Sequence, residues 1–273
     1  MNTGNYTEVI CSNINQQLSA VIIAVLSDIG YEGFEETDDT VKAYINETEF
    51  NESLVRDIAK QYSFSYNVST LAPQNWNTVW EQNFEPVIID DFVAIRAHFH
   101  QPVSGVQHEI VITPKMSFGT GHHATTTMMI QQMRSLDIKD KTVLDFGTGT
   151  GILAILAEKL GAANIMAVDN DIWSIENCKE NIEQNNCSRI EVLQKDDAKI
   201  NKQFAVILAN INRNVILDNL TLLFQQLQEG GYLLLSGLLA EDEEIILIKI
   251  NECKLTHINT RQQLQWISLL FSR

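Results

Sequence analysis

Residues Val143 to Gly151 read Val-Leu-Asp-Phe-Gly-Thr-Gly-Thr-Gly and run straight into Ile-Leu-Ala-Ile-Leu-Ala-Glu-Lys-Leu. An apolar strand, a triple-glycine turn and a helix start, in that order, build a nucleotide-sized pocket, because glycine lets backbone approach a ligand closely. The glycines fall at 147, 149 and 151, a GxGxG spacing. A dinucleotide fingerprint, GxGxxG, puts its last small residue at 152, where this chain has Ile152. Asp145 is expected at the mouth of the turn. A carboxylate there repels a pyrophosphate and suits a cationic amino or sulfonium group, which favours S-adenosylmethionine over NAD.

From Lys141 onward strands and helices alternate: Thr142–Phe146, Ile152–Leu160, Ile165–Asp169, Trp173–Gln184, Ile190–Gln194, Phe204–Ala209, Arg213–Gln228, Gly231–Ser236 and Ala240–Asn251. Such alternation predicts a parallel sheet covered on both faces by helices. The tail breaks the pattern, since Lys254–Gln263 and Trp266–Phe271 read as two strands with no helix between them. An α/β doubly wound sheet ending in an antiparallel hairpin is similar to the class I methyltransferase fold.

The first seventy residues have a different rhythm. Tyr6–Ser12, Gln16–Ile29, Gly33–Thr37, Thr40–Glu47, Glu52–Gln61 and Ser63–Val68 give the order βαββαβ, with Gly30 stopping the first helix and Asn51 capping the second. That is the order of a ferredoxin-like α+β sandwich. Domains are therefore expected at 1–70 and 87–273, joined by a linker helix over 71–86. In that linker Trp76, Trp80 and Phe84 recur every four residues and share one helical face, a packing stripe. Two further strands, Val87–Phe99 and Glu109–Thr113, lead into the larger domain.

The formal charge is −16, from 35 acidic against 19 basic side chains. Such a surface repels nucleic-acid phosphates and attracts basic partners. Cys11, Cys178, Cys187 and Cys253 are scattered and form no CxxC, which argues against structural zinc and a disulfide framework and fits a reducing cytoplasm. The N-terminus lacks a basic region, and its longest apolar run, Val21–Leu26, is too short to span a bilayer.

Four positions are expected to converge at the carboxyl ends of the strands, where open α/β sheets bind ligands. Gly147 opens the glycine turn. Asp169 ends a strand 18 residues beyond Gly151, where a carboxylate can accept hydrogen bonds from both hydroxyls of a ribose. Asp196 and Asp197 end the next strand, within reach of an adenine amino group or simply solvated. Asn210 terminates Ile-Leu-Ala-Asn-Ile-Asn beside the glycine turn; its amide oxygen can accept from an incoming amine. Asn-Pro-Pro-Tyr, the signature of methyltransferases acting on glutamine amides or adenine, is absent. A second glycine-rich stretch, Phe118-Gly-Thr-Gly-His-His-Ala-Thr-Thr126, precedes a helix at Thr127–Arg134 and can line a polar pocket. Its two histidines have no partners at metal-ligand spacing.

Taken in order, these segments resemble the bacterial ribosomal protein methyltransferases of the PrmA family, which methylate large-subunit protein number eleven. The resemblance rests on Phe-Gly-Thr-Gly-His-His-Ala-Thr-Thr, Val-Leu-Asp-Phe-Gly-Thr-Gly-Thr-Gly-Ile-Leu-Ala-Ile, Ala-Val-Asp-Asn-Asp and Leu-Ala-Asn-Ile. It implies that Thr126, Gly147, Asp169 and Asn210 contact S-adenosylmethionine, and that the N-terminal domain grips the ribosomal protein. It departs at Thr113-Pro-Lys-Met-Ser-Phe, where the family often has Asp/Asn-Pro-Gly-x-Ala-Phe. The expected protein is a cytoplasmic monomer that binds neither membrane nor nucleic acid directly.

The reaction so implied is in-line N-methylation of lysine or N-terminal amines, with Asn210 orienting the nitrogen. A lysine of pKa about 10.4 is neutral in only about one molecule in 2,500 at pH 7, a penalty of roughly 4–5 kcal/mol. Desolvation beside a sulfonium lowers that pKa. No dedicated base is evident beside Asn210, so the proton is expected to leave to solvent before docking. Competing readings are a methyltransferase for another protein or for RNA, an NAD-linked oxidoreductase, and a non-enzymatic S-adenosylmethionine-binding scaffold.

Overall fold

A computed structural model describes residues 6–14, 16–37, 39–71, 85–114, 121 and 123–273. The chain divides into two compact units, Met1–Asn83 and Phe84–Arg273. The expected linker helix and its Trp76, Trp80, Phe84 stripe lie outside the described residues, as do Phe118–Thr120 and His122.

The first unit contains β1 (Tyr6–Ser12), α1 (Gln16–Asp28), β2 (Gly33–Glu36), β3 (Thr40–Asn46), α2 (Glu52–Tyr62) and β4 (Ser65–Leu71). Its sheet runs β2-β3-β1-β4 with every pairing antiparallel. Side chains alternate across a strand, so Val9 and Cys11 of β1 and Val41, Ala43 and Ile45 of β3 face inward. They meet Ile22 and Leu26 of α1 and Val55 and Ile58 of α2. Asn51 caps α2 by accepting from Ser53 N at 3.1 Å. The βαββαβ order with this strand arrangement is that of a ferredoxin-like sandwich.

The second unit is built on a seven-stranded sheet of order β10-β9-β8-β11-β12-β14-β13. The strands are β8 (Thr142–Phe146), β9 (Asn164–Asp169), β10 (Ile190–Gln194), β11 (Phe204–Asn210), β12 (Leu227–Leu239), β13 (Thr256–Gln263) and β14 (Trp266–Ser272). β8 to β12 pair in parallel, while β14 runs antiparallel to both β12 and β13. A smaller sheet of β5 (Val87–Ile89), β6 (Val93–Ala97) and β7 (His108–Ile112) precedes it, with a parallel β6–β7 pair. The single long strand expected over Val87–Phe99 is thus two, separated by a turn in which Asp90 takes a left-handed φ of 52°.

The helices are α3 (Ala124–Met133), α4 (Ile152–Lys159), α5 (Ile172–Gln184), α6 (Arg213–Gln226) and α7 (Glu243–Glu252). They bury the sheet from two sides. Val143, Val206, Leu208 and Leu270 pack toward α3, α4 and α5. Leu144, Phe146, Ile207, Ala209, Ile267 and Leu269 pack toward α6 and α7. This period-two division, set by the pleat, decides which way each side chain at the strand ends points.

Three asparagines of α5 and the residue after it tie the small sheet to the large one. Asn185 brackets Val111, accepting from its N and donating to its O, and Asn177 donates to Thr113 O. Asn181 accepts from Thr113 N at 2.7 Å and donates to Thr150 O at 2.8 Å, linking the end of β7 to the glycine turn.

Candidate functional site

The turn between β8 and α4 is held open by its glycines. Gly147 has φ +76°, and a Cβ there would lie 2.1 Å from Ile211 Cγ2. Gly151, at φ +83°, caps α4 with no room above Cys178 Sγ, only 2.7 Å from where a Cβ would stand. Gly147 N and Thr148 N both donate to Val168 O, at 2.8 and 2.9 Å, which folds the turn across the end of β9. The Cys178 thiol beneath it is pushed up to about 12 by burial, so it offers no thiolate.

Asp145 does not stand at the mouth of the turn. It shares the parity of Val143 and faces α4, where it is 1% exposed. Its Oδ2 accepts from Thr148 Oγ1 at 2.6 Å and from Ala154 N at 3.2 Å, fastening turn to helix. Burial raises its pKa to about 7, against the pull of those two hydrogen bonds. Motif position alone puts this carboxylate against a cationic ligand; strand alternation instead turns it beneath the loop.

Above the turn lies a cavity of about 520 Å³ at the carboxyl ends of the parallel strands, within the range of small-molecule sites. Gly147, Asp169 and Asn210 all line it. Asp169 is tethered by two amides: Gly149 N donates to Oδ2 at 2.8 Å and Asp171 N to Oδ1 at 3.0 Å. A carboxylate has about four acceptor sites, so each oxygen keeps one for a ligand hydroxyl. Asp196 joins the wall, whereas Asp197 is paired with Lys195 Nζ at 2.8 Å. The Lys195 ammonium holds the Asp197 carboxyl below its usual range.

Asn210 ends β11 on the α3 side, two residues beyond Leu208, and is 9% exposed. Its Nδ2 donates to Thr126 Oγ1 at 3.3 Å. Its Oδ1 is buried with no hydrogen-bond partner among the described residues. Thr126, itself 2% exposed, stands behind Asn210 and is not on the cavity wall. A buried acceptor without a donor costs about 1–3 kcal/mol.

Residues 9–273 match the family described as Ribosomal protein L11 methyltransferase (PrmA). The chain belongs to this family. It is 39% identical to the ribosomal protein L11 methyltransferase of Chlorobaculum tepidum, across 98% of this chain and 96% of that one. Identity to the same-named protein of Phocaeicola vulgatus is 35%, across 94% of each. A crystal structure described as ribosomal protein L11 methylase, from Lactobacillus delbrueckii subsp. bulgaricus, superposes with a TM-score of 0.65 at 30% identity, covering 70% of this chain and 99% of that chain. The class I methyltransferase architecture expected from the strand order is the one observed.

In this PrmA family member the cavity also gathers residues that the sequence reading does not single out: Lys195, Gly237 and Trp266. His123 enters that reading only as a metal ligand to be weighed. Its Nδ1 caps α3 by accepting from Thr125 N at 3.4 Å and also lies 2.7 Å from Thr125 Oγ1, and its ring meets Trp266 edge-on with centroids 4.6 Å apart. The antiparallel hairpin in the sequence is the available signal for Trp266, because it returns the chain to the edge where ligands bind. Among the described residues no cluster of His, Cys, Asp and Glu is arranged to hold a metal, and no helix is long and apolar enough to cross a membrane.

Proposed function

We propose that this chain transfers the methyl group of S-adenosylmethionine to amine nitrogens of ribosomal protein L11. The observation that carries this is the shared cavity lined by Gly147, the tethered Asp169 and Asn210. The residues fit such a donor. Gly147 keeps its backbone bare at the cavity wall, where a Cβ would collide with Ile211, Asp169 keeps acceptor sites for two ribose hydroxyls, and Asp196 on the same wall offers an acceptor to an adenine amino group. Bound there, S-adenosylmethionine supplies a methyl carbon already activated by its sulfonium.

The protein's own work is then position and desolvation. Asn210 Oδ1, buried without a donor among the described residues, accepts a hydrogen bond from the acceptor amine. A lysine still has to lose a proton, and a desolvated site beside a cation favours the neutral amine. Residues 1–71 have only Lys42, Arg56 and Lys60 as basic side chains amid a large acidic excess, which suits the N-terminal unit to hold a basic protein substrate. The acidic balance of the whole chain disfavours RNA as the acceptor.

Radiolabelled methyl transfer to purified L11, against ribosomal RNA, tests this directly. Label is expected in the protein alone, and calorimetry is expected to show binding of S-adenosylmethionine and not of NAD. Label in RNA, or an unchanged rate in Asn210→Ala, overturns the assignment.

A further inference from the structure

The wall that holds Asn210 also holds an aromatic group, Trp266, whose place follows from chain direction. β14 runs antiparallel to β12 with Trp266 opposite Leu239, so its first residue lies at the edge where the parallel strands end. Alternation fixes the side. Ile267 and Leu269 pack toward α6 and α7, whereas Ser268 bonds Gln132 of α3 and Leu270 packs with α3 and α4. Trp266 has the parity of Ser268, and so shares the side of Asn210. It is half-buried, lines the cavity, and stands edge-on to His123 at 4.6 Å and 71°.

We propose that Trp266, with the Asn210 side chain, forms an ammonium subsite that receives the acceptor nitrogen and stabilises the positive charge that grows on it. This rests on the methyl-transfer reading above. The physical case is the movement of charge. The nitrogen lone pair makes the new N–C bond while the C–S pair withdraws to sulfur, leaving a neutral thioether and a cationic nitrogen. A proton on that nitrogen then leaves to water. Positive charge therefore grows on nitrogen as the reaction proceeds, and groups beside nitrogen stabilise the transition state more than the bound neutral amine. An indole attracts a cation electrostatically and tolerates bulk, because the attraction comes from a π cloud rather than from a directed hydrogen bond. An amide oxygen supplies direction. The pair suits a nitrogen that is both charged and carbon-substituted.

Two probes of the same shape separate charge from bulk: choline, and its neutral isostere 3,3-dimethylbutan-1-ol. Saturation-transfer NMR on the full chain reads their binding without turnover. The wild type is expected to bind choline more tightly than the alcohol. Trp266→Leu is expected to lose roughly 5- to 30-fold in choline affinity with little change for the alcohol, while its dissociation constant for S-adenosylmethionine stays within about twofold. Its kcat toward L11 falls by a similar factor. Trp266→Phe keeps a ring and covers the case in which the leucine variant fails to fold: choline binding drops about two- to threefold and alcohol binding holds. Equal affinity of the two probes for the wild type, or equal losses of both in either variant, overturns the subsite. A chain that binds no S-adenosylmethionine and labels no L11 defeats the methyl-transfer reading instead, whatever Trp266 does.

Discussion

Replacing Asp145 by asparagine should flatten the pH dependence of stability in a way that can be calculated beforehand. The carboxyl is 1% exposed, Oδ1 has no partner among the described residues, and Oδ2 accepts from Thr148 and Ala154. Burial raises its pKa from 3.8 to about 7, with the nearby Asp169 charge adding a smaller push. A folded-state pKa above the unfolded value means that the folded protein keeps a proton the unfolded chain has lost. Stability is therefore greatest below about pH 4, declines as pH climbs toward 7, and levels off above it. Between pH 5 and pH 8 the carboxyl is fully ionised when unfolded but goes from mostly protonated to mostly ionised when folded. The two pH units from 5 to 7 amount to about 3 kcal/mol lost by the wild type. The substituted carboxamide cannot ionise and keeps a carbonyl oxygen for Thr148 and Ala154. Self-repulsion from the −16 net charge changes equally in both proteins and cancels in the difference. Urea unfolding at pH 5 and pH 8 on both chains measures it. The wild type should lose about 3 kcal/mol more than the variant across that interval. A difference under about 0.5 kcal/mol would mean that Asp145 titrates normally, and that water or a cation reaches it.

Other perturbations separate holding the fold from holding the ligand. Gly147→Ala forces a Cβ to 2.1 Å from Ile211 Cγ2 at φ +76°; thermal unfolding should show a loss of about 1–3 kcal/mol, with S-adenosylmethionine affinity down at least roughly tenfold. Asp169→Ala removes acceptors for two ribose hydroxyls, and at about 1.5 kcal/mol for each charged hydrogen bond the calorimetric dissociation constant should rise on the order of 100-fold. Asn181→Ala strips Thr113 N and Thr150 O of their bonds to this side chain; chemical denaturation should report about 2–3 kcal/mol lost, and a change under about 0.5 kcal/mol would show that water replaces the amide.

What is legible in the sequence is what is local. The glycine turn, Asp169 and Asn210 each sit where a strand hands over to a turn or helix, so pattern alone places them at one sheet edge. The Asn51 cap and the Gly30 stop are readable for the same reason: their partners, Ser53 and Ser27, lie two and three residues away. Asp145 is misplaced by motif position because β8 is buried on both faces, and such a strand shows no polar alternation to say which way one carboxylate turns. Trp266 and Lys195 escape notice because their relation to the site depends on pairing across the sheet. Thr126 is named only through the family resemblance, because its link to the site is a hydrogen bond from Asn210, 84 residues away in sequence.

The same dependence on register explains why a glycine outside any motif is built into the site. On β12, Leu233 and Leu235 pack toward α6 and α7, so unbroken alternation would send residue 237 the same way. Instead the β12–β14 register shifts between Ser236 and Leu238, and Leu238 takes that place opposite Ile267. Gly237 is the extra residue, at φ +83°, with a Cβ there falling 2.2 Å from Ile211 O. The bulge accomplishes two things at once. It lets the Asn210–Ile211–Asn212 turn pass close over β12, and it brings Leu239 rather than Leu238 opposite Trp266. β14 meanwhile keeps its own alternation, so Trp266 stays on the side of Asn210. One inserted glycine thereby reconciles a continuous core on one face of the sheet with an amide and an indole meeting in a cavity on the other.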